Sequence, residues 1–259
     1  MNGFEAFILG LIQGITEFLP ISSTGHLYIG RHLFGLDEAG LFLDTMLHFG
    51  TLIAIVVFYK DVLIDLLLHP FRKLTLLLII GTLPAVIFGL AFESYFEQLS
   101  KTGATIGWEF LITGALLWFA DSVKGGAKQL DQITAWDALI IGCFQATAIF
   151  PAISRSGSTI AASLFRKLDR DTAAYFSFLL STPAIAGAVA LQCKDLFDSS
   201  GPDIGLVPLF IATLSSALFG YLAMKWMIGY LKKHSLKIFS FYVWILGLFI
   251  IFAQALGLF

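Results

Sequence analysis

The sequence predicts an all-α integral membrane protein with six transmembrane helices plus two re-entrant helical hairpins in an inverted-topology repeat. Three observations carry this: scarce charge, six apolar stretches of spanning length, and two apolar segments broken by proline and hydroxyl residues. Of 259 residues, 58% are hydrophobic and 13% charged, with mean hydropathy +0.86. A soluble domain carries about 25% charged residues, so this chain has too little polar surface to coat a body in water. Its 26 phenylalanines suit a lipid-facing surface. A net charge of −2, with no basic run and no zinc-finger spacing, gives no reason to expect a nucleic-acid partner. Cys143 and Cys193 stand singly in apolar stretches and read as small buried hydrophobes rather than a disulfide. The N-terminus lacks a basic n-region and carries Glu5 and Glu17, so no cleaved leader is expected.

In chain order, Phe4–Leu19 is apolar but interrupted by Gln13 and Glu17, then broken by Pro20 and Ser22-Ser23-Thr24-Gly25. Three spans follow, Leu41–Tyr59, Leu74–Tyr95 and Thr105–Ala120, each close to the roughly 20 residues a membrane helix needs. Glu109 near the start of the third suggests that this end lies at the interface. Ala138–Phe150 then runs into Pro151-Ala152-Ile153-Ser154-Arg155-Ser156-Gly157, and apolar residues resume from Ile160 to Phe165. The last spans are Ala173–Leu191, Leu206–Leu231 and Phe239–Leu258. Irregular backbone is tolerated at membrane depth only where protein buries it or a wet cavity meets it. The two broken segments therefore read as re-entrant hairpins, with an ordinary extramembrane loop as the alternative.

Lysine and arginine set the topology. Eleven fall on one side of the spans, namely Lys60, Arg72 and Lys73, then Lys124, Lys128, Arg166, Lys167 and Arg170, then Lys232, Lys233 and Lys237; three, Arg31, Lys101 and Lys194, fall on the other. The richer side is expected to be cytoplasmic, which puts both termini outside. A near-constant offset supports a repeat: Pro20 with Pro151, Gly25 with Gly157, Gly50-Thr51 with Ser181-Thr182, and Gly114 with Gly247. One domain, 1–259, then comprises repeats 1–122 and 131–259. Three spans per repeat is odd, so the halves must be inverted. Such repeats place their sites where broken helices meet, and here the hairpin tips face each other.

The chemistry-bearing residues lie on those tips. Gln13 and Glu17 are four apart and share a helix face. Pro20 ends that helix, and Ser22, Ser23 and Thr24 suit capping the next. Capping alone leaves Glu17 and His26 unexplained. The second tip supplies Ser154, Arg155, Ser156, Ser158 and Thr159: a planar cationic fork and hydroxyls at a helix start, a combination that binds phosphate. A Glu17–Arg155 structural salt bridge is the competing account, and it leaves His26 and the hydroxyls without a purpose. Asp44 and His48, one turn apart in the first span, either line the cavity or make an interhelical hydrogen bond.

On these residues the chain resembles the bacitracin-resistance type of undecaprenyl-diphosphatase. The motifs that carry the resemblance are Gln13…Glu17-Phe18-Leu19-Pro20-Ile21-Ser22-Ser23-Thr24-Gly25-His26 and Pro151-Ala152-Ile153-Ser154-Arg155-Ser156-Gly157-Ser158-Thr159. Leu47-His48-Phe49-Gly50-Thr51-Leu52 and Phe176–Ala184 extend it over nearly the whole chain. Two departures stand out: Gln13 where many members have Glu, and Ala152 in place of Gly.

The resemblance implies hydrolysis of undecaprenyl diphosphate to the monophosphate and phosphate, assisted by Mg²⁺ or Ca²⁺, in the bacterial plasma membrane. That reaction recycles the lipid carrier of peptidoglycan synthesis, and a homodimer is suggested by the family alone. Ser23 is then the candidate nucleophile, His26 the acid or base, and Glu17 a metal ligand or proton acceptor, with Gln13 a weaker ligand. Arg155, Ser154, Ser156 and Thr159, with Ser22 and Thr24, would clamp the diphosphate. Direct attack by water remains open, and a lipid-phosphate transporter is the rival function. The combination Glu17–Ser23–His26 favours the enzyme, since a carrier has little use for a nucleophile.

Overall fold

The computed structural model describes residues 1–36, 40–123, 125–198 and 204–257. The expected charge positions Lys101, Lys124 and Lys194, the expected buried Cys193, and Leu258 at the end of the sixth span lie outside the described residues or side chains. The architecture is all-helical. The first hairpin pairs α1 (Gly3–Phe18) with α2 (Ser23–Phe34), and the second pairs α8 (Ala135–Thr147) with α9 (Arg155–Phe165). Between them run α3 (Gly40–Phe58), α4 (Lys60–Leu68), α5 (Lys73–Ala91), α6 (Glu93–Thr102) and α7 (Ile106–Ser122). After them come α10 (Arg170–Asp198), α11 (Leu206–Leu231) and α12 (Lys237–Ala255).

All six expected apolar stretches are helical. Among the described residues α5, α10, α11 and α12 are long and apolar enough to cross a membrane, with window hydropathies of 1.6 to 2.4. Their outer faces are apolar and exposed: Leu76, Ile79, Leu83 and Val86 on α5, and Phe241, Ile245, Leu248 and Phe252 on α12. Gln13, Glu17, Glu109 and Ser177 are buried instead. Polar inside and apolar outside is the arrangement a lipid solvent selects, and the chain is a multi-pass membrane protein. The second span stops short of Tyr95. Phe92 leaves helical geometry at φ −125° and ψ 24°, and the polar segment from Glu93 begins α6. Cys143 is exposed, contrary to the buried position expected of it. Gly142 turns into α5, where a Cβ would collide with the backbone of Gly81, so the next residue on the helix points outward.

Both hairpins end as their sequences indicate. Leu19 caps α1 in extended geometry, Pro20 follows, and Ser22 opens α2 with its hydroxyl accepting from Gly25 N–H at 3.4 Å. In the second, Ser154 opens α9 by accepting from Gly157 N–H at 3.1 Å. The tips clasp one another: Ser22 Oγ donates to Pro151 O at 3.0 Å, and Ser156 Oγ donates to Leu19 O at 2.9 Å. A Cβ on Gly25 would lie 2.6 Å from Phe110 Cζ and 3.0 Å from Ala152 Cβ, so only glycine lets the tips approach this closely. The elements also exchange partners: α1 packs along α11, α8 along α5, and α7 along α12.

Candidate active site

The site is assembled around Glu17, on the last turn of α1 and 5% exposed. Gln13, one turn earlier, donates from Nε2 to Glu17 Oε2 at 3.0 Å, as their spacing requires. Ser23, the first residue of α2, donates from Oγ to the same oxygen at 2.5 Å. Arg155, the first residue of α9, pairs with Oε1 through Nη2. Its Nη1 is buried with no partner, so the ion pair leaves part of the guanidinium uncommitted. His48 of α3 brings Nε2 to 3.6 Å from Glu17 Oε2, while its Nδ1 lies 2.7 Å from Asp44 O. That backbone bond fixes the ring with the proton on Nδ1, so in the neutral tautomer Nε2 is the free base facing the site. Asp44 itself pairs with Arg31 at 3.3 Å.

These groups border a cavity of about 190 Å³ whose lining includes Glu17, Ser23, Thr24, His48 and Arg155 together with Ala148, Ala184 and Ala188. The N-terminal turns of α2 and α9 both meet it, through Ser22–Thr24 and Ser154–Arg155. Two helix starts, a guanidinium and hydroxyls make it a site for an anion. Ala148, Ala184, Ile185 and Ala188 give the lining an apolar part.

Of the remaining sequence candidates, Ser22 and Ser154 line the cavity, while His26, Ser156 and Thr159 do not. His26 Nδ1 lies 2.6 Å from Ser22 O, its Nε2 accepts from Tyr242 OH at 2.7 Å, and its ring stacks on Tyr242 and meets Phe110 edge-on. The hydroxyls of Ser22, Ser154 and Ser156 are used in the caps and the clasp. Thr159 Oγ1 donates to Arg155 O at 2.9 Å and contacts Ser177 Oγ at 2.5 Å. Ser22 has φ 69°, a left-handed conformation rare for serine that costs on the order of 1–3 kcal/mol. Ala152 has no positive φ, so the departure from glycine there introduces no strain. Glu109, expected at the interface, is instead 3% exposed and packs on the second tip. The signal was present in the sequence: a carboxylate inside an apolar run, as for Glu17.

Comparisons with known proteins show the family. The family described as Bacitracin resistance protein BacA matches residues 6–249. "Undecaprenyl-diphosphatase 4" of Bacillus thuringiensis (strain Al Hakam) is 65% identical over 254 residues, 98% of each chain. "Undecaprenyl-diphosphatase" of Carboxydothermus hydrogenoformans is 46% identical over 100% of each, and that of Halothermothrix orenii is 41% identical over 97% of this chain and 98% of its own. With a match of this extent, over both tips and every helix between them, the chain belongs to the bacitracin resistance protein BacA family.

Proposed function

We propose that the protein is a membrane phosphatase that hydrolyses undecaprenyl diphosphate to undecaprenyl phosphate and inorganic phosphate, returning the lipid carrier to peptidoglycan synthesis. The observation that carries this is Glu17. One buried carboxylate accepts the Ser23 hydroxyl at 2.5 Å and pairs with an arginine whose second nitrogen is free, at the edge of an anion-shaped cavity. Phosphoryl transfer asks mainly for positioning and charge neutralisation. Arg155 Nη1, Thr24 and the two helix starts hold the terminal phosphate. Ser23 Oγ attacks its phosphorus as the proton passes to Glu17, and the bond to the bridging oxygen breaks, releasing the lipid monophosphate. Water then attacks the phosphoserine phosphorus and yields its proton to His48 Nε2. Ser23 leaves and recovers its proton from Glu17, freeing inorganic phosphate. The base is thus assigned to His48 rather than His26. Ala148, Ala184 and Ala188 lead the prenyl chain towards the bilayer, where burial contributes about 0.8 kcal/mol per methylene.

The residues fit a hard, oxygen-ligated cation. Gln13 Oε1 is buried without a partner beside Glu17. No cluster of three His, Cys, Asp or Glu side chains occurs among the described residues, so substrate oxygens are needed to complete the shell, as is usual for Mg²⁺. Glu17 and Gln13 would hold Mg²⁺ or Ca²⁺, which would neutralise charge on the transferring phosphoryl group.

The same proposal includes the arrangement in the membrane: α3, α5, α7, α10, α11 and α12 span, the hairpins are re-entrant, and both termini face outward. Residues 1–122 and 131–259 form inverted repeats, and a homodimer is the assembly the family suggests. The exchange of partners supports the repeat, since swapping halves turns the α1–α11 contact into α8–α5 and returns α7–α12 to itself. The decisive assay is phosphate release from a polyprenyl diphosphate by purified protein with Mg²⁺ or Ca²⁺. Movement of lipid across vesicles without phosphate release would favour the carrier function instead.

A further inference from the structure

The turn that delivers Arg155 is held from behind by one face of α7. Glu109 Oε2 accepts Ala152 N–H at 2.5 Å, and its Oε1 accepts Thr105 Oγ1 at 2.5 Å. Thr113, one helical turn on, donates to Ala152 O at 3.1 Å and accepts Ser154 N–H at 3.2 Å. Both backbone groups of Ala152, and the N–H of the residue capping α9, are therefore fixed by two side chains that do not line the cavity. Glu109 is 3% exposed, Thr113 is 1% exposed, and no Lys, Arg or His pairs with Glu109 among the described residues. A buried carboxylate without a cation is costly in an apolar body, and its retention calls for a task.

We infer that Glu109 is a positioning residue that, with Thr113, sets the direction of Arg155 by locking the Ala152–Ser154 turn. Its activity readout rests on the phosphatase proposal, while its physical readout rests on geometry alone. An independent observation supports it. Tyr242, 133 positions on and in the corresponding place on α12, ties the other tip: its hydroxyl donates to His26, whose Nδ1 reaches Ser22 O. The last helix of each half holds the hairpin of the other half.

The test uses the full-length protein in lipid nanodiscs as wild type, Glu109→Leu, Glu109→Gln, Arg155→Ala and Glu109→Leu/Arg155→Ala. Glutamine keeps an acceptor for Ala152 N–H and a donor for the Thr105 hydroxyl. Glu109→Leu is expected to lower kcat/KM about 10²-fold, the scale of a misplaced catalytic group, and Glu109→Gln less than about tenfold. In the Arg155→Ala background the Glu109→Leu loss should shrink to about twofold, because residues acting as one unit are not additive. Amide exchange at Ala152 and Ser154 should quicken about tenfold or more in Glu109→Leu but not in Arg155→Ala. Independent, multiplying losses, or unchanged exchange at the turn, would overturn the inference. If the wild type releases no phosphate, the phosphatase proposal falls, and the exchange measurement still decides the role of Glu109.

Discussion

Arg155 uses Nη2 on Glu17 and leaves Nη1 buried and unpaired. A lysine would keep the charge as a point and could not serve a carboxylate and a phosphate oxygen in two fixed directions. Arg155→Lys is therefore expected to lose at least about tenfold in kcat/KM for a polyprenyl diphosphate, and a wild-type rate would remove the fork from the mechanism. The two histidines separate in the same assay. His48 Nε2 faces Glu17 at 3.6 Å, whereas both ring nitrogens of His26 are engaged by Ser22 O and Tyr242 OH. His48→Ala should lower kcat by about 10²-fold or more, the range of a lost general base. His26→Ala should chiefly lower thermal stability, since it releases the carbonyl of the strained Ser22; the reverse ranking would return the base to His26. Ser23→Ala tests the covalent step, and a retained rate would leave direct attack by water. At Gln13 the amide donates to Glu17 and its oxygen is idle. Gln13→Glu would set a second carboxylate there, and half-maximal activity should then need less Mg²⁺ or Ca²⁺.

At the scale of the elements, the clasp between hairpins is what makes two half-sites one. Its closeness depends on Gly25, where a side chain would meet Phe110 and Ala152. Gly25→Val should destabilise the protein by about 1–3 kcal/mol and lower phosphate release further, because Glu17 and Arg155 separate as the tips part. Thermal unfolding and activity, measured together, should show the second loss exceeding the first. Ala152→Gly, by contrast, relieves no strain and should change neither. The hairpin ends were legible in the sequence because their punctuation is local: Pro20 with Ser22, and Ser154 with Gly157 three residues on, each act within one turn. The Glu17–Arg155 ion pair, across 138 positions, is the account the sequence reading sets below a ligand site; a charge at membrane depth must find a partner, and sequence alone does not say whether that partner is protein or ligand. His48 lines the cavity, one of the two alternatives its position offered; the surroundings of His26 and Glu109 were not legible. Neighbourhood in sequence put His26 beside Ser23, but its ring turns out between Phe110 and Tyr242, on helices more than 80 residues away. That direction is set by packing of distant elements, which no local pattern encodes.

At the scale of the whole molecule, each hairpin packs on helices from both ends of the chain: α1 lies against α11 as well as α3, and α8 against α5 while α9 meets α10. Under the proposed inverted repeat, the site forms only when both halves are inserted with opposite orientation. The proposed orientation rests on charge, with eleven basic residues against three on the two sides of the expected spans. This fixes an outcome for labelling. In a background with Cys143→Ser and Cys193→Ser, single cysteines are placed by Gly125→Cys, before α8, and Gly205→Cys, before α11. A membrane-impermeant maleimide applied to intact cells should label position 205 and spare position 125 until the membrane is opened. Labelling of both from one side would undo the inverted repeat, because an even number of crossings would then separate α7 from α11. Labelling of position 125 alone would keep the repeat but reverse it in the membrane. The cavity bordered by Glu17 and Arg155 would survive either result, since its geometry depends on the clasp and not on which leaflet it faces.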